Sequence, residues 1–145
     1  MKPVIEVNHL FKSYGTFTAV NDLSFSVNKG DVFGFLGENG AGKSTSIRML
    51  LTLISPSSGN INFWGENLQL NRKSILKNVG AIIERPDLYK YLSAYDNLNL
   101  FAKMSGLSLS RFELMDQLDL VGLADRWQGK VKTFSQGMKQ RLGLA

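Results

Sequence analysis

Two hydrophobic periods share the chain. Over the first half, Leu23, Phe25 and Val27 alternate with Ser24, Ser26 and Asn28, and Ile5, Val7, His9 and Phe11 fall on one parity, as half-buried strands do. Asn28-Lys29-Gly30-Asp31 then reads as a turn. The short apolar run from Val32 to Leu36 predicts a more deeply buried strand and ends in Gly37-Glu38-Asn39-Gly40-Ala41-Gly42-Lys43-Ser44. Beyond it Ile47, Leu50, Leu51 and Ile54 recur at helical spacing until Ser55-Pro56-Ser57-Ser58-Gly59 stops the helix. Asn60 to Trp64 predicts another strand, and Val79 to Ile83 a buried one. From Arg85 onward the period becomes helical, through Leu98, Phe101 and Ala102 and then Phe112, Met115, Leu118 and Leu120. Ser110 with Glu113 three residues later predicts a capping box. Ser135 to Ala145 reads as a last helix that carries no glycine stop signal. The expected organisation is a strand-rich part over 1–84 and a helical part over 85–145, with no internal repeat and no Gly/Pro/Ser-rich linker.

Composition narrows the function classes. The 145 residues are 43% hydrophobic and 20% charged, values of an ordinary globular domain rather than of a disordered tail or a collagenous repeat. With no cysteine, disulfide scaffolds, thiolate zinc sites and cysteine nucleophiles are all excluded. His9, the single histidine, leaves no multi-histidine metal site. The longest apolar stretches, such as Met49 to Ile54, fall far short of the roughly 20 residues of a membrane helix, and the N-terminus has no signal-peptide pattern, so a soluble cytosolic chain is expected. The net charge of +5 is concentrated: residues 1–125 balance, and Arg126, Lys130, Lys132, Lys139 and Arg141 follow without an acidic residue. Such a stretch is a solvated basic face, or a surface turned toward phosphate or nucleic acid.

The strongest chemical signal is Gly37-x-x-x-x-Gly42-Lys43-Ser44, lying between a predicted strand and a predicted helix. Glycines let the backbone curl so that consecutive N–H groups face phosphate oxygens, with a helix N-terminus behind them. Lys43 then reaches the β- and γ-phosphates, and the Ser44 hydroxyl ligates magnesium. A chance match in a chain of this length has a probability of only about 0.005. Asn28-Lys29-Gly30-Asp31 matches the string that reads guanine in GTPases, but it precedes the phosphate loop instead of following it and serves as a turn.

With these residues in order, the sequence resembles the nucleotide-binding subunit of ABC transporters over its entire length. Leu10-Phe11-Lys12-Ser13-Tyr14-Gly15 resembles the family's adenine-stacking loop, with Tyr14 as the matching aromatic 23 residues before Gly37. Gly37, Asn39, Gly40, Ala41, Gly42, Lys43, Ser44 and Thr45 match the phosphate loop. Val79-Gly80-Ala81-Ile82-Ile83-Glu84 matches the segment that ends in glutamine in most members; here Glu84 stands in its place, a carboxylate beside the γ-phosphate that can still ligate a hard cation. That departure, with Arg85-Pro86-Asp87-Leu88-Tyr89 after it, resembles the exporter branch of the bacitracin and lantibiotic resistance type. Phe134-Ser135-Gln136-Gly137-Met138 resembles the family signature in a variant spelling, in which Ser135 and Gly137 match Leu-Ser-Gly-Gly-Gln while Phe134, Gln136 and Met138 depart.

The resemblance implies an α/β fold, the P-loop NTPase fold of the ABC type in incomplete form: a β-subdomain and P-loop strand–helix followed by a helical subdomain. It implies ATP and Mg2+ as ligands, with Ser44 and Glu84 toward the metal. The implied partners are a second ATP-binding subunit, whose γ-phosphate faces Ser135, Gln136 and Gly137 in trans, and a transmembrane permease at the cytoplasmic membrane face, with no nucleic acid. In the family the signature helix leads into a strand ending in an aspartate and the catalytic glutamate, then a histidine at the γ-phosphate. None of these follows here, so the expectation is an N-terminal portion of a longer ATPase that binds nucleotide and hydrolyses it poorly or not at all. The competing reading is a soluble ABC-type ATPase acting on nucleic acid or ribosomes. The short helical insert after Arg85, without long coiled coils, favours the transporter.

Overall fold

A hairpin of β1 (Ile5–Tyr14) and β2 (Phe17–Val27) opens the chain. Together with β3 (Ser58–Phe63) and β4 (Glu66–Asn67) it forms an antiparallel sheet of order β2-β1-β3-β4. The structure, a computed structural model, describes residues 2–83 and 86–145, and the chain divides into two units, one through Ala81 and one of Ile82–Ala145. In the first unit helix α1 (Lys43–Leu50) and the short α2 (Arg72–Leu76) accompany the sheet. Val7, Leu10, Val20, Met49, Ile61 and Ile75 belong to its core.

Strict alternation along β1 breaks at His9. The register shifts between Val7 and Leu10, so Leu10 turns into the core in place of His9 and Phe11. His9 and Asp22 on β2 both take left-handed backbone, at φ 48° and 49°. The exposed His9 ring holds its Nδ1 2.7 Å from Asp22 Oδ1, and its backbone N–H donates to Ser24 Oγ at 2.9 Å. The bulge presses β1 against β3 where Gly59 sits: a Cβ there would lie 2.2 Å from the His9 carbonyl oxygen. The sequence pattern alone does not show a bulge, because one extra residue flips every later side chain.

Two expected strands do not form. Val32–Leu36 pairs with no strand among the described residues, with Val32 and Leu36 103% and 92% exposed. Apolar character marks a segment for burial, but a strand exists only where a neighbouring backbone completes its ladder. Within this run, Phe33 and Phe35 do lean back on Phe25, at centroid distances of 5.1 and 5.6 Å. Val79–Ile83 likewise forms no strand among the described residues; Val79 packs against the first core, and Gly80 and Ala81 are exposed. The Asn28–Asp31 turn does form, closed by Asp31 N–H donating to Asn28 O at 3.2 Å with Gly30 at φ 90°. Helix α1 ends at Leu50 rather than running on to Ile54, because Thr52 adopts φ 56°.

The second unit holds α3 (Ala94–Met104), α4 (Arg111–Leu120) and α5 (Gln136–Leu144) around Ala94, Leu118, Leu123, Val131, Phe134 and Leu142. Buried Asn97 ties the segment before α3: its Nδ2 donates to Tyr89 O and Ser93 O at 3.0 and 2.8 Å, and its Oδ1 accepts from Tyr89 N–H at 2.8 Å. On α4 the inward line is Leu114 and Leu118, whereas Phe112 and Leu120 are exposed. Each lies two residues, about 200° around the helix, from a buried position.

The capping box at α4 forms as the sequence predicts. Ser110 Oγ accepts from Glu113 N–H at 3.2 Å, while Ser110 N–H and Oγ donate to Glu113 Oε2 at 2.8 and 2.7 Å. The backbone bond and then the hydroxyl bond hold the Glu113 carboxyl below its ordinary value. A carboxyl lowered by folding stabilises the fold above its unfolded-state pKa and loses that contribution as pH falls through the folded value. Thermal melts followed by circular dichroism should therefore show stability falling through the acidic carboxylate range, and falling less in Glu113→Gln. Identical pH dependence in the two proteins would contradict this.

Candidate functional site

The loop Gly37–Gly42 enters α1 through Gly42, the helix N-cap, in left-handed backbone at φ 83°. An added Cβ at Gly42 would lie 2.2 Å from Ala19 O and 3.0 Å from Val20 Cγ2, so the loop is pressed against β2 at a point that only glycine can occupy. Ala41 N–H donates to Glu38 O at 3.2 Å, closing the turn, and Ser46 donates to Gly42 O through both N–H and Oγ, at 2.8 and 3.0 Å. Gly42 O is thereby satisfied, and the first-turn N–H groups face outward from a helix start with no acidic residue to neutralise it.

Lys43 folds back over this loop. Its Nζ donates to Gly37 O and to Glu38 O, each at 2.6 Å, so the ammonium is fixed at the loop rather than swinging in solvent. Beside it lies an open cavity of about 340 Å³ lined by Asn39, Gly40, Gly42, Lys43, Ser44 and Thr45 from the loop and helix, and by Phe17 and Ala19 from β2. Six of the eight phosphate-loop residues read from the sequence thus line one cavity, and the other two, Ala41 and Gly37, lie against each other in the loop, with Ala41 Cβ 3.4 Å from a Cβ added at Gly37.

The aromatic at this cavity is Phe17, a residue that sequence reasoning missed. Tyr14 is its partner across the hairpin and does not line the cavity; its exposed ring carries Lys12 Nζ 4.9 Å from the centroid. A signal was present: an aromatic at each side of a tight turn, Tyr14-Gly15-Thr16-Phe17, with Gly15 at φ 57°. Glu84 lies outside the described residues.

In the second unit Ser135 caps α5, its Oγ accepting from Met138 N–H at 3.3 Å, and Gln136 and Gly137 are exposed in the first turn. Of the basic stretch, Arg141 donates to Val121 O and Gly122 O at 2.9 and 3.1 Å, a cation on the C-terminal carbonyls of α4. Arg126 stacks over Phe134 at 5.8 Å. Two of the five cations therefore serve the fold. Among the described residues no group of three or more His, Asp or Glu could hold a metal ion, and no helix is long and apolar enough to cross a membrane.

The phosphate-loop geometry has a family counterpart: the ABC transporter family model matches residues 20–145. The chain belongs to the ABC transporter family. Its ABC-type α/β fold is shared with a solved ATP-binding subunit of an ABC transporter, at a TM-score of 0.83 and 31% identity over 97% of this chain and 60% of that one. The bacitracin transport ATP-binding protein BcrA of Bacillus licheniformis is 46% identical over the whole chain and 47% of its own length. The lantibiotic transport ATP-binding protein SrtF of Streptococcus pyogenes is 44% identical over 98% of this chain and 60% of its own length. The chain spans about half the length of the curated relatives it matches, 47% for the first of them.

Proposed function

We propose that this ABC-family chain binds the triphosphate of ATP at Gly37–Thr45 as part of the ATP-binding subunit of an exporter. The observation that carries the reading is Lys43: an ammonium held by two loop carbonyls at 2.6 Å, at the start of a helix with no acid in its first turn. Among the described residues the lining supplies no carboxylate, so the cavity fits a polyanion. Magnesium is usually held by few protein ligands together with substrate phosphates. Ser44 would be its ligand, with Glu84 as the second candidate, and the ion would supply charge neutralisation of the phosphates when bound. Phe17, and Tyr14 across the hairpin from it, offer the base aromatic faces.

Gly137 supports the second half of the reading. A Cβ there would meet nothing within 4 Å, and its φ is not positive, so the local fold gives no reason for a residue that weakens a helix. A partner approaching closely does: Ser135, Gln136 and Gly137 face the γ-phosphate held by a second ATP-binding subunit. A transmembrane permease is the further partner, on the cytoplasmic face of the membrane. The names of the bacitracin and lantibiotic relatives support export of an antibiotic-like compound. These 145 residues alone are expected to hydrolyse ATP poorly or not at all, because among the described residues no carboxylate lines the cavity to orient water.

Calorimetric titration of the chain with magnesium and ATP tests this. Saturable binding that pyrophosphate competes away is the expected result, with phosphate release near background. Absence of binding, or binding that pyrophosphate leaves untouched, would sink the reading.

A further inference from the structure

A larger cavity of about 440 Å³ lies elsewhere in the first unit and shares no lining residue with the phosphate-loop cavity. Its apolar wall is not surface relief: Met49, Ile61 and Leu68 are all buried members of the core. The polar side consists of Thr52, Ser55, Gln69 and Arg72, with no acidic residue. A second cation stands beside that wall, since Lys12 Nζ donates to Ser55 O at 2.7 Å.

Thr52 is also part of the cavity wall. It is a β-branched residue in left-handed backbone, at φ 56°, a conformation such side chains rarely hold. Its Oγ1 is also buried without a hydrogen-bond partner. The left-handed backbone closes the end of α1, with Thr52 N–H donating to Met49 O at 3.0 Å and Leu53 N–H to Arg48 O at 2.9 Å, whereas the unpartnered hydroxyl has no part in that closure.

We propose that this cavity binds a small amphipathic anion, an aliphatic or aryl carboxylate whose apolar body rests on Met49, Ile61 and Leu68 and whose carboxylate meets Arg72. An apolar floor and a single-sign rim are features of a small-molecule pocket with a few orienting polar groups. A neutral molecule of the same shape gains the floor but not the rim, so charge is what this site selects. Because the phosphate loop takes no part, success or failure here is separate from the ATP reading.

Amide chemical shifts of the whole chain, titrated with octanoate and in parallel with 1-octanol, test the assignment. Octanoate should move the resonances of Met49, Thr52, Ile61, Leu68 and Arg72 in a saturable way and bind about tenfold more tightly than the alcohol. Arg72 is exposed, so Arg72→Gln should fold normally and bring the two ligands to similar affinity. No saturable shift at these residues up to about 10 mM, equal affinity of both ligands for the unaltered protein, or an unchanged preference in Arg72→Gln would each overturn the proposal.

Discussion

Lys43→Ala weakens ATP binding by roughly 30- to 150-fold, the loss expected when charge-assisted hydrogen bonds worth about 2–3 kcal/mol are removed. The side chain has two tasks at once. Its Nζ is clamped by Gly37 O and Glu38 O at 2.6 Å, which holds the loop closed, and the same ammonium supplies the positive charge nearest the helix start. Alanine is the best helix former, so α1 should survive the change and thermal stability should move little. The measurement is an equilibrium titration with a fluorescent ATP analogue beside a thermal melt of each protein. Equal affinity would mean that the loop is not the binding site, and a melt shifted by tens of degrees would mean that Lys43 is chiefly structural.

Gly42→Ala is expected to act through the fold instead. A left-handed non-glycine residue costs about 1–2 kcal/mol, and relieving a Cβ placed 2.2 Å from Ala19 O forces the loop off β2, for a total of about 3 kcal/mol or more. For a unit of this size the melting temperature should fall by roughly 10–20 °C, with nucleotide binding lost as well. Gly40→Ala is the matched comparison. Gly40 has a similar φ of 88° but open space where the Cβ would go, so only the backbone cost remains. If the two substitutions destabilise equally, the contact between the loop and β2 is not what requires glycine at position 42.

Much of the molecule was legible because the relevant physics is local. The turn at Asn28–Asp31, the capping box at Ser110, the last helix after Ser135 and the glycine loop before α1 each depend on a few neighbouring residues, and each forms. What was not legible depends on pairing across the chain. The bulge at His9 goes with a close approach of β1 to Gly59 on β3, fifty residues away, and no parity count along β1 can register it. The runs at Val32–Leu36 and Val79–Ile83 carry the apolar composition of strands, yet a strand is a relation between backbones and those relations are absent among the described residues. Phe17 illustrates the same limit at the site. Family resemblance points to Tyr14, while the hairpin register decides which ring of the pair lines the cavity.

The most direct measurement is an amide chemical-shift map of the chain titrated with ATP and magnesium. The largest saturable shifts should fall on Gly40, Gly42, Lys43, Ser44 and Thr45, with Phe17 and Ala19 next, and should vanish in Lys43→Ala at the same ATP concentration. Shifts centred anywhere else, or a map that Lys43→Ala leaves intact, would contradict a phosphate site at this loop.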